Sequence, residues 1–168
     1  PVDSAQGIDA ELEKQLNAHL ATFEKKLSQV IGQTTVRLDA EKDSIRYQES
    51  NFGNLICDII RESTKSDVAV FNSGGIRATI EKGPVTLRQI YLALPYRNTI
   101  ATGTLSGAEL KEVLEESLAG GKKGAGFLQV SGLRYETKDG ATIDRLLIGG
   151  KPVNPEARYR VATNNFVM

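Results

Sequence analysis

The sequence predicts an α+β fold in which a mixed β-sheet core carries helices on its outer faces. One reason is that amphipathic helical patterns alternate with short runs rich in β-branched residues. Another is that these elements do not follow the strict strand–helix–strand order of a parallel sheet. A length of 168 residues is enough for one domain with a full core, so we expect a single domain over residues 1–168.

Apolar periodicity of three or four residues predicts four helices. They are placed at about residues 8–31, at 51–63, at 86–92, and after a capping box at residues 106–109. In the second helix, Leu55, Ile56, Ile59 and Ile60 are expected to face inwards. Strand-like runs occur at residues 33–38, 67–71, 99–105, 128–130, 133–137, 142–148 and 159–163. The pair Asp139-Gly140 predicts a hairpin between two of the late strands.

Composition excludes several kinds of protein. The 21 basic and 21 acidic side chains cancel, which gives no support for a broad nucleic-acid or membrane surface. No apolar run is long enough to span a bilayer. A single cysteine, Cys57, excludes an internal disulfide and is expected to be a small buried residue. With only one histidine as well, Ser-His-Asp and Cys-His chemistry is disfavoured.

The segment NSGGIR at residues 72–77 is the most informative motif. It follows an apolar strand, and its two glycines leave main-chain N–H groups accessible next to the fixed cation Arg77. This combination suits an anionic ligand with a planar part, such as a nucleotide. A surface turn with a solvated arginine is the alternative. A second glycine-rich segment contains Lys122 and Lys123, and we interpret it as a solvated loop rather than a phosphate cradle.

Six segments in order resemble the carboxy-terminal domain of the 5′-nucleotidases, a domain also found in UDP-sugar hydrolases and 2′,3′-cyclic-nucleotide phosphodiesterases. They are ESNFGNLI (49–56), NSGGIR (72–77), LPYRN (94–98), LSGAEL (105–110), GFLQVSGL (126–133) and ATNNF (162–166). The resemblance runs from the first helix to the last residue. It implies a layered α/β/β/α arrangement for the mixed sheet and its helices.

The resemblance also implies a division of labour between two domains. In the family, an amino-terminal metallophosphoesterase domain holds two divalent metal ions and the catalytic histidines. The carboxy-terminal domain binds the nucleoside and rotates to bring the phosphate to the metals. We therefore expect this chain to recognise a nucleotide or nucleoside, and to contain no catalytic residue, metal or cofactor. Alone it should be inactive, and its partners should be the ligand and the amino-terminal domain of the same parent chain.

Four residues are matched to the family's strongest substrate contacts. Arg77 resembles the arginine that contacts the substrate, and Asn72 the asparagine that hydrogen-bonds the base. Tyr96 and Phe166 match the two rings that stack on the base, although Tyr96 replaces the commoner Phe. The structural alternative is a helix or turn cap for Arg77 and an Asx turn for Asn72. For the two rings it is core packing. For the nearby Phe127, core packing is the favoured interpretation.

Four further residues complete the expected substrate site. Asn98 matches a position where some relatives direct an asparagine towards the base, and Gly74 and Gly75 keep the turn open. Arg46 is either a second anion contact or a solvated charge beside acidic neighbours. Family members continue after the second ring into Gly-Gly-Asp-Gly, whose aspartate binds the ribose. Because the sequence ends at Met168, we expect isolated binding to be weak.

The resemblance leaves the parent's reaction open. The leading hypothesis is a 5′-nucleotidase-type phosphoric-ester hydrolase involved in nucleotide catabolism. A 2′,3′-cyclic phosphodiesterase, a UDP-sugar hydrolase and a non-catalytic nucleotide-binding or surface module are the alternatives. By the same resemblance, the protein is expected to be periplasmic, secreted or at the cell surface, with no membrane span.

Overall fold

The computed structural model describes residues 10–121 and 126–168. Over these ranges the chain forms five α-helices: α1 (Ala10–Leu27), α2 (Lys42–Ile45), α3 (Asn51–Thr64), α4 (Leu87–Ala93) and α5 (Gly107–Gly121). It also forms the strands β1 (Val30–Thr34), β2 (Val68–Asn72), β3 (Gly83–Thr86), β4 (Ile100–Ser106), β5 (Leu128–Ser131), β6 (Leu133–Thr137), β7 (Ile143–Ile148), β8 (Lys151–Pro152) and β9 (Arg158–Asn164).

The central sheet has four strands in the order β4-β9-β2-β5. It is mixed, because β2 pairs with β9 in parallel and all other neighbours are antiparallel. All five residues of β2 are buried, as the uninterrupted apolar run in the sequence predicts. A two-stranded sheet pairs β1 with β3, and a three-stranded sheet has the order β6-β7-β8.

Alternate side chains of the central sheet supply two apolar clusters. Ala69, Phe71 and Ala162 belong to the cluster that contains the buried residues of α3. Val68, Val70 and Val161 belong to the cluster that contains α5 and β7. Helices therefore pack on both sides of a mixed sheet, with the three-stranded sheet on the α5 side, and the predicted fold class is confirmed.

Several local predictions are confirmed. Thr86 caps α4 through a reciprocal capping box with Gln89. The hairpin at Asp139 joins β6 to β7, and the Asp139 carboxylate accepts from the N–H groups of Ala141 (3.0 Å) and Thr142 (2.6 Å). These hydrogen bonds hold the pKa of Asp139 below its usual value. Phe127 is buried, as expected of a core residue.

Other predictions are wrong in detail. The first helix ends at Leu27 rather than near residue 31, because residues 30–34 form β1 and pair with β3, a strand that the sequence did not predict. The predicted strand at 33–38 therefore overlaps β1 only at its first two residues. Leu55 and Ile59 are exposed, since the face of α3 that packs on the sheet is the one carrying Ile56 and Ile60. The predicted start of α1 near residue 8 and the Lys122-Lys123 segment lie outside the described residues.

Candidate functional site

The turn after β2 brings the motif at residues 72–77 to the edge of the central sheet. β2 ends at the buried Asn72, and a single 3₁₀ turn, Ser73–Gly75, follows it. Neither Gly74 nor Gly75 has a positive φ. Gly75 is required for space instead, because a Cβ at this position would lie 2.7 Å from Cε1 of Phe71.

A cleft of about 290 Å³ opens beside this turn. Its lining residues are Arg46, Asn72, Gly74, Arg77, Tyr96, Asn98 and Phe166. All of these were matched to substrate contacts in the sequence. The remaining matched residue, Gly75, lies in an adjoining hollow of about 100 Å³ that also contacts Tyr96 and Asn98. The structure thus brings the whole predicted set together, although the sequence distances between its members reach 120 residues, from Arg46 to Phe166.

The two aromatic rings of the cleft are unusually accessible for their size. Tyr96 is 55% exposed and Phe166 is 74% exposed. Tyr96 follows α4 and precedes β4, whereas Phe166 follows β9. Because β4 and β9 pair with Ile100 opposite Asn164, the two segments emerge at the same edge of the sheet. The core packing considered as an alternative for these rings is therefore not what the structure shows.

Arg77 is fixed through its main chain. Its N–H donates to the carbonyl oxygen of Ala93, the last residue of α4, over 2.8 Å. This bond joins the arginine to the helix that leads into Tyr96. Arg77 itself is exposed, and its guanidinium forms no ion pair among the described residues. The side chain is therefore available to an anion in the cleft.

Arg46 lies against the same turn. It is the C-cap residue that follows α2, and it is half-buried. A Cβ built on Gly74 would lie 3.1 Å from Nη1 of Arg46, so the guanidinium packs directly against the glycine turn. Gly74 therefore leaves room for a second cation. With Arg77, two positive charges and no carboxylate lie among the lining residues of the cleft.

Two neighbouring asparagines, Asn164 and Asn165, hold the Phe166 segment, and neither has a role predicted from the sequence. The buried Asn164 accepts through Oδ1 from the N–H groups of Phe166 (3.1 Å) and Val167 (3.0 Å). Asn165 exchanges hydrogen bonds with Thr99, donating its N–H to the carbonyl (3.0 Å) and accepting at Oδ1 (2.9 Å). Tandem asparagines directly after a strand were the available signal, because their side chains often replace lost main-chain partners.

The Nδ2 group of Asn164 donates to Oδ1 of Asn72 over 2.9 Å. The orientation of Asn164 is determined by the two main-chain donors on its oxygen, since only its amide nitrogen can then face Asn72. The side-chain oxygen Oδ1 of Asn72 consequently faces Asn164. Its own Nδ2 is the group left for another partner, so Asn72 offers the cleft a hydrogen-bond donor.

Other reactive groups lie elsewhere. Among the described residues, no group of three or more His, Cys, Asp or Glu could hold a metal ion. Cys57 is buried and donates through Sγ to the carbonyl of Gln129 over 3.2 Å. Burial raises the pKa of this thiol far above its usual range, so Cys57 is not a nucleophile at neutral pH. The prediction that Cys57 is a small buried residue is thus confirmed.

Comparison with known proteins decides the family. The sequence model described as "5′-nucleotidase, C-terminal domain" matches residues 30–168. The chain belongs to this family. The resemblance found in the sequence is therefore confirmed.

Two curated relatives illustrate the range of the family. The chain is 34% identical to the trifunctional nucleotide phosphoesterase protein YfkN of Bacillus subtilis, over 99% of the chain and 12% of that protein. It is 31% identical to the protein UshA of Escherichia coli, over 91% of the chain and 28% of the relative. The chain therefore spans less than a third of the length of either relative.

Solved structures give the same fold. A 5′-nucleotidase precursor from Thermus thermophilus superposes with a TM-score of 0.80 at 36% identity, over 92% of this chain and 33% of that chain. The NAD nucleotidase of Haemophilus influenzae superposes with a TM-score of 0.66 at 25% identity, over 95% of this chain and 32% of that chain.

None of the described helices is long and apolar enough to cross a membrane.

Proposed function

We propose that this domain binds the nucleoside and phosphate parts of a nucleotide for a two-domain metallophosphoesterase. The observation that carries the proposal is the cleft in which Arg77, Tyr96 and Phe166 meet. Two exposed rings and the guanidinium of Arg77, which forms no ion pair within residues 10–121 and 126–168, match a ligand with a planar apolar part and an anionic part. A solvated surface turn would require none of these arrangements.

The rings, the amides and the guanidinium groups of the cleft have separate tasks in this proposal. Tyr96 and Phe166 stack on the two faces of the base, an interaction worth roughly 1–3 kcal/mol per base and tolerant of base identity. Asn72 donates through Nδ2 to an acceptor of the base, and Asn98 lies within the same cleft as a further amide. Arg77 and Arg46 hold the phosphate oxygens, because guanidinium groups donate in a planar fork.

The parent protein is proposed to be a phosphoric-ester hydrolase of the 5′-nucleotidase type. The relatives support this, since they are nucleotidases and a nucleotide phosphoesterase. The described residues offer no donor set for a metal, so the two divalent ions are assigned to an amino-terminal metallophosphoesterase domain that partners this one. This chain alone should release no phosphate from nucleotides. A periplasmic, secreted or surface location is proposed on the family resemblance.

The binding proposal is tested by NMR titration of the 168-residue chain with AMP and with adenosine. We expect millimolar AMP to shift the amide signals of residues around the cleft. Arg77→Ala should lower the affinity for AMP by about tenfold or more, because a charge-assisted hydrogen bond is lost. The affinity for adenosine, which has no phosphate, should change little. Arg97→Ala is the matched control, because Arg97 is exposed beside Tyr96 but does not line the cleft. AMP shifts that are absent, or spread over the far side of the sheet, would contradict the proposal.

The ester type is tested separately on the full-length parent protein. Hydrolysis of AMP to adenosine and phosphate, of 2′,3′-cyclic AMP to adenosine monophosphate, and of a UDP-sugar to UMP and sugar phosphate should be compared at equal concentration by chromatography of the products. Hydrolysis mainly of AMP is the expected result. No hydrolysis of any of the three, with divalent metal present, would favour a non-catalytic nucleotide-binding module.

A further inference from the structure

Gln129 is a buried amide that links β5 to the segment carrying Arg46. It is only 1% exposed. Its Nε2 donates to the main-chain carbonyls of Ile45 (3.1 Å) and Gln48 (2.9 Å), and its Oε1 accepts from the N–H of Ser50 (2.9 Å). All of these partners are main-chain atoms of residues 45–50. One side chain therefore fixes both ends of a six-residue segment.

This segment has little regular structure of its own. It consists of the end of the four-residue helix α2 and the turn that leads into α3. Its own main-chain bonds are local, such as those from the N–H groups of Tyr47 (3.0 Å) and Gln48 (3.1 Å) to the carbonyl of Ser44. Local bonds of this kind do not connect the segment to the sheet, and only its first residue, the buried Ile45, belongs to the apolar cluster that contains the sheet residues Ala69 and Phe71. The bonds to Gln129 connect it to a central-sheet strand about 80 residues further along the chain.

Gly53 makes room for this amide. A Cβ at Gly53 would lie 2.3 Å from Oε1 and 2.4 Å from Cγ of Gln129. Glycine is unfavourable in the first turn of a helix, so the sequence accepts a local cost at α3. The close approach explains that cost, because any side chain at position 53 would displace Gln129. Gly53 and Gln129 together therefore hold residues 45–50 against β5.

We propose that Gln129 is a positioning residue that determines where the Arg46 guanidinium lies in the cleft. It does not line the cleft itself. By fixing the carbonyl of Ile45 and the turn that follows, it holds the Arg46 guanidinium beside Gly74, where the anionic end of the ligand lies. The inference rests on the proposed function, since it assumes that Arg46 contacts phosphate. It adds a determinant of phosphate recognition outside the cleft.

The test is the ratio of AMP to adenosine affinity in Gln129→Met, measured by NMR titration of the whole chain. Methionine keeps the length and volume of glutamine but makes none of the three hydrogen bonds. The ratio of AMP to adenosine affinity should fall about fivefold or more, because the Arg46 guanidinium is no longer held beside Gly74. The adenosine affinity itself should change less than about twofold. Arg46→Ala should lower the ratio by about tenfold. Adding Gln129→Met to Arg46→Ala should lower it no further, because both act on one contact.

Ser117→Ala is the matched control. The buried Ser117 hydroxyl accepts from the N–H of Leu128, the residue before Gln129 on β5, over 2.7 Å. Its loss weakens the same strand without touching residues 45–50, so the AMP to adenosine ratio should stay at the wild-type value. If Gln129→Met does not fold, Gly53→Ala is measured in its place, since its Cβ must displace the same amide.

The outcomes separate the two proposals. A wild-type chain that binds neither AMP nor adenosine contradicts the proposed function. A wild-type chain that prefers AMP, together with a Gln129→Met or Gly53→Ala variant of unchanged ratio, overturns only the positioning role. An equal loss of ratio in Ser117→Ala would also overturn it, because the effect would then reflect general destabilisation of β5.

Discussion

The side-chain amides of Asn164 and Asn72 are joined by a hydrogen bond of 2.9 Å between Nδ2 of the first and Oδ1 of the second. Both residues are buried, and they lie 92 positions apart in the sequence. Asn164 also accepts from the N–H group of Phe166. One amide therefore places a stacking ring and orients the asparagine expected to bind the base.

Replacing Asn164 by Asp should change this orientation without removing the support of Phe166. A carboxylate still accepts from the N–H groups of residues 166 and 167, but it cannot donate to Asn72. Asn72 should then turn its Nδ2 towards the carboxylate and present its carbonyl to the ligand. We expect adenosine affinity to fall by about tenfold, measured by titration with the uncharged nucleoside.

Thr163→Val is the control for this variant. Thr163 is buried beside Asn164, and its Oγ1 has no hydrogen-bond partner among the described residues. Valine keeps its shape and removes an unsatisfied hydroxyl, so adenosine binding should be unchanged and stability equal or higher by up to about 1 kcal/mol. Unchanged adenosine binding in Asn164→Asp would contradict the orientation argument.

Removing either ring of the cleft should weaken nucleoside binding without unfolding the chain. Tyr96→Ala and Phe166→Ala are each expected to cost roughly 1–3 kcal/mol of adenosine affinity, because a stacking face is lost. Tyr96→Phe should bind nearly as the wild type. Since both rings are exposed, the midpoint of urea unfolding should hardly move. Tyr91→Ala, at an exposed tyrosine on α4 outside the cleft, is the control and should leave affinity unaltered.

The start of α5 should lose stability in acid. The Glu109 carboxylate accepts from the N–H of Ser106 over 2.7 Å, and this hydrogen bond, with a smaller contribution from Arg158, holds the pKa of Glu109 below its usual 4.5. A carboxyl group with a depressed pKa stabilises the fold above the unfolded-state pKa, and this contribution is lost as the pH falls through the folded-state pKa.

Urea unfolding between pH 7 and pH 3 measures this effect. The wild type should lose stability more steeply below about pH 4.5 than Glu109→Gln, whose amide still accepts from Ser106 but does not titrate. Glu116→Gln, at an exposed position on the same helix, should follow the wild-type curve. Identical pH profiles for the wild type and Glu109→Gln would rule out a role of the carboxylate charge at this cap.

Gly75→Ala should destabilise the domain. The added Cβ would meet the Phe71 ring at 2.7 Å, so either the turn or the ring must move. We expect a loss of about 1–3 kcal/mol in the free energy of unfolding, as for other overpacked sites. Gly32→Ala is the matched substitution, because a Cβ on Gly32 meets nothing within 4 Å. A similar loss in both variants would indicate a general glycine effect rather than a clash with Phe71.

Much of this protein could be predicted from local patterns. The helices α3, α4 and α5 and most strands follow from apolar periods and capping residues, since these depend on neighbours within one or two turns. The apolar run of β2 was enough to predict a buried strand, and the ordered motifs were enough to predict the family. The strand β3 was missed because Gly83 and Pro84 are poor strand formers, and it pairs with β1 only through the tertiary fold.

The sequence by itself determined most of the element types, the neutral charge and the identity of the residues expected around a ligand. Only the tertiary structure decided how those residues are held. Gln129 reaches the segment of Arg46, Asn164 reaches Asn72, and Gly75 accommodates Phe71. The first two are buried hydrogen bonds between residues about 80 and 92 positions apart, and the third is a steric fit between side chain and backbone. Such contacts depend on how distant elements pack, which no local pattern of residues specifies.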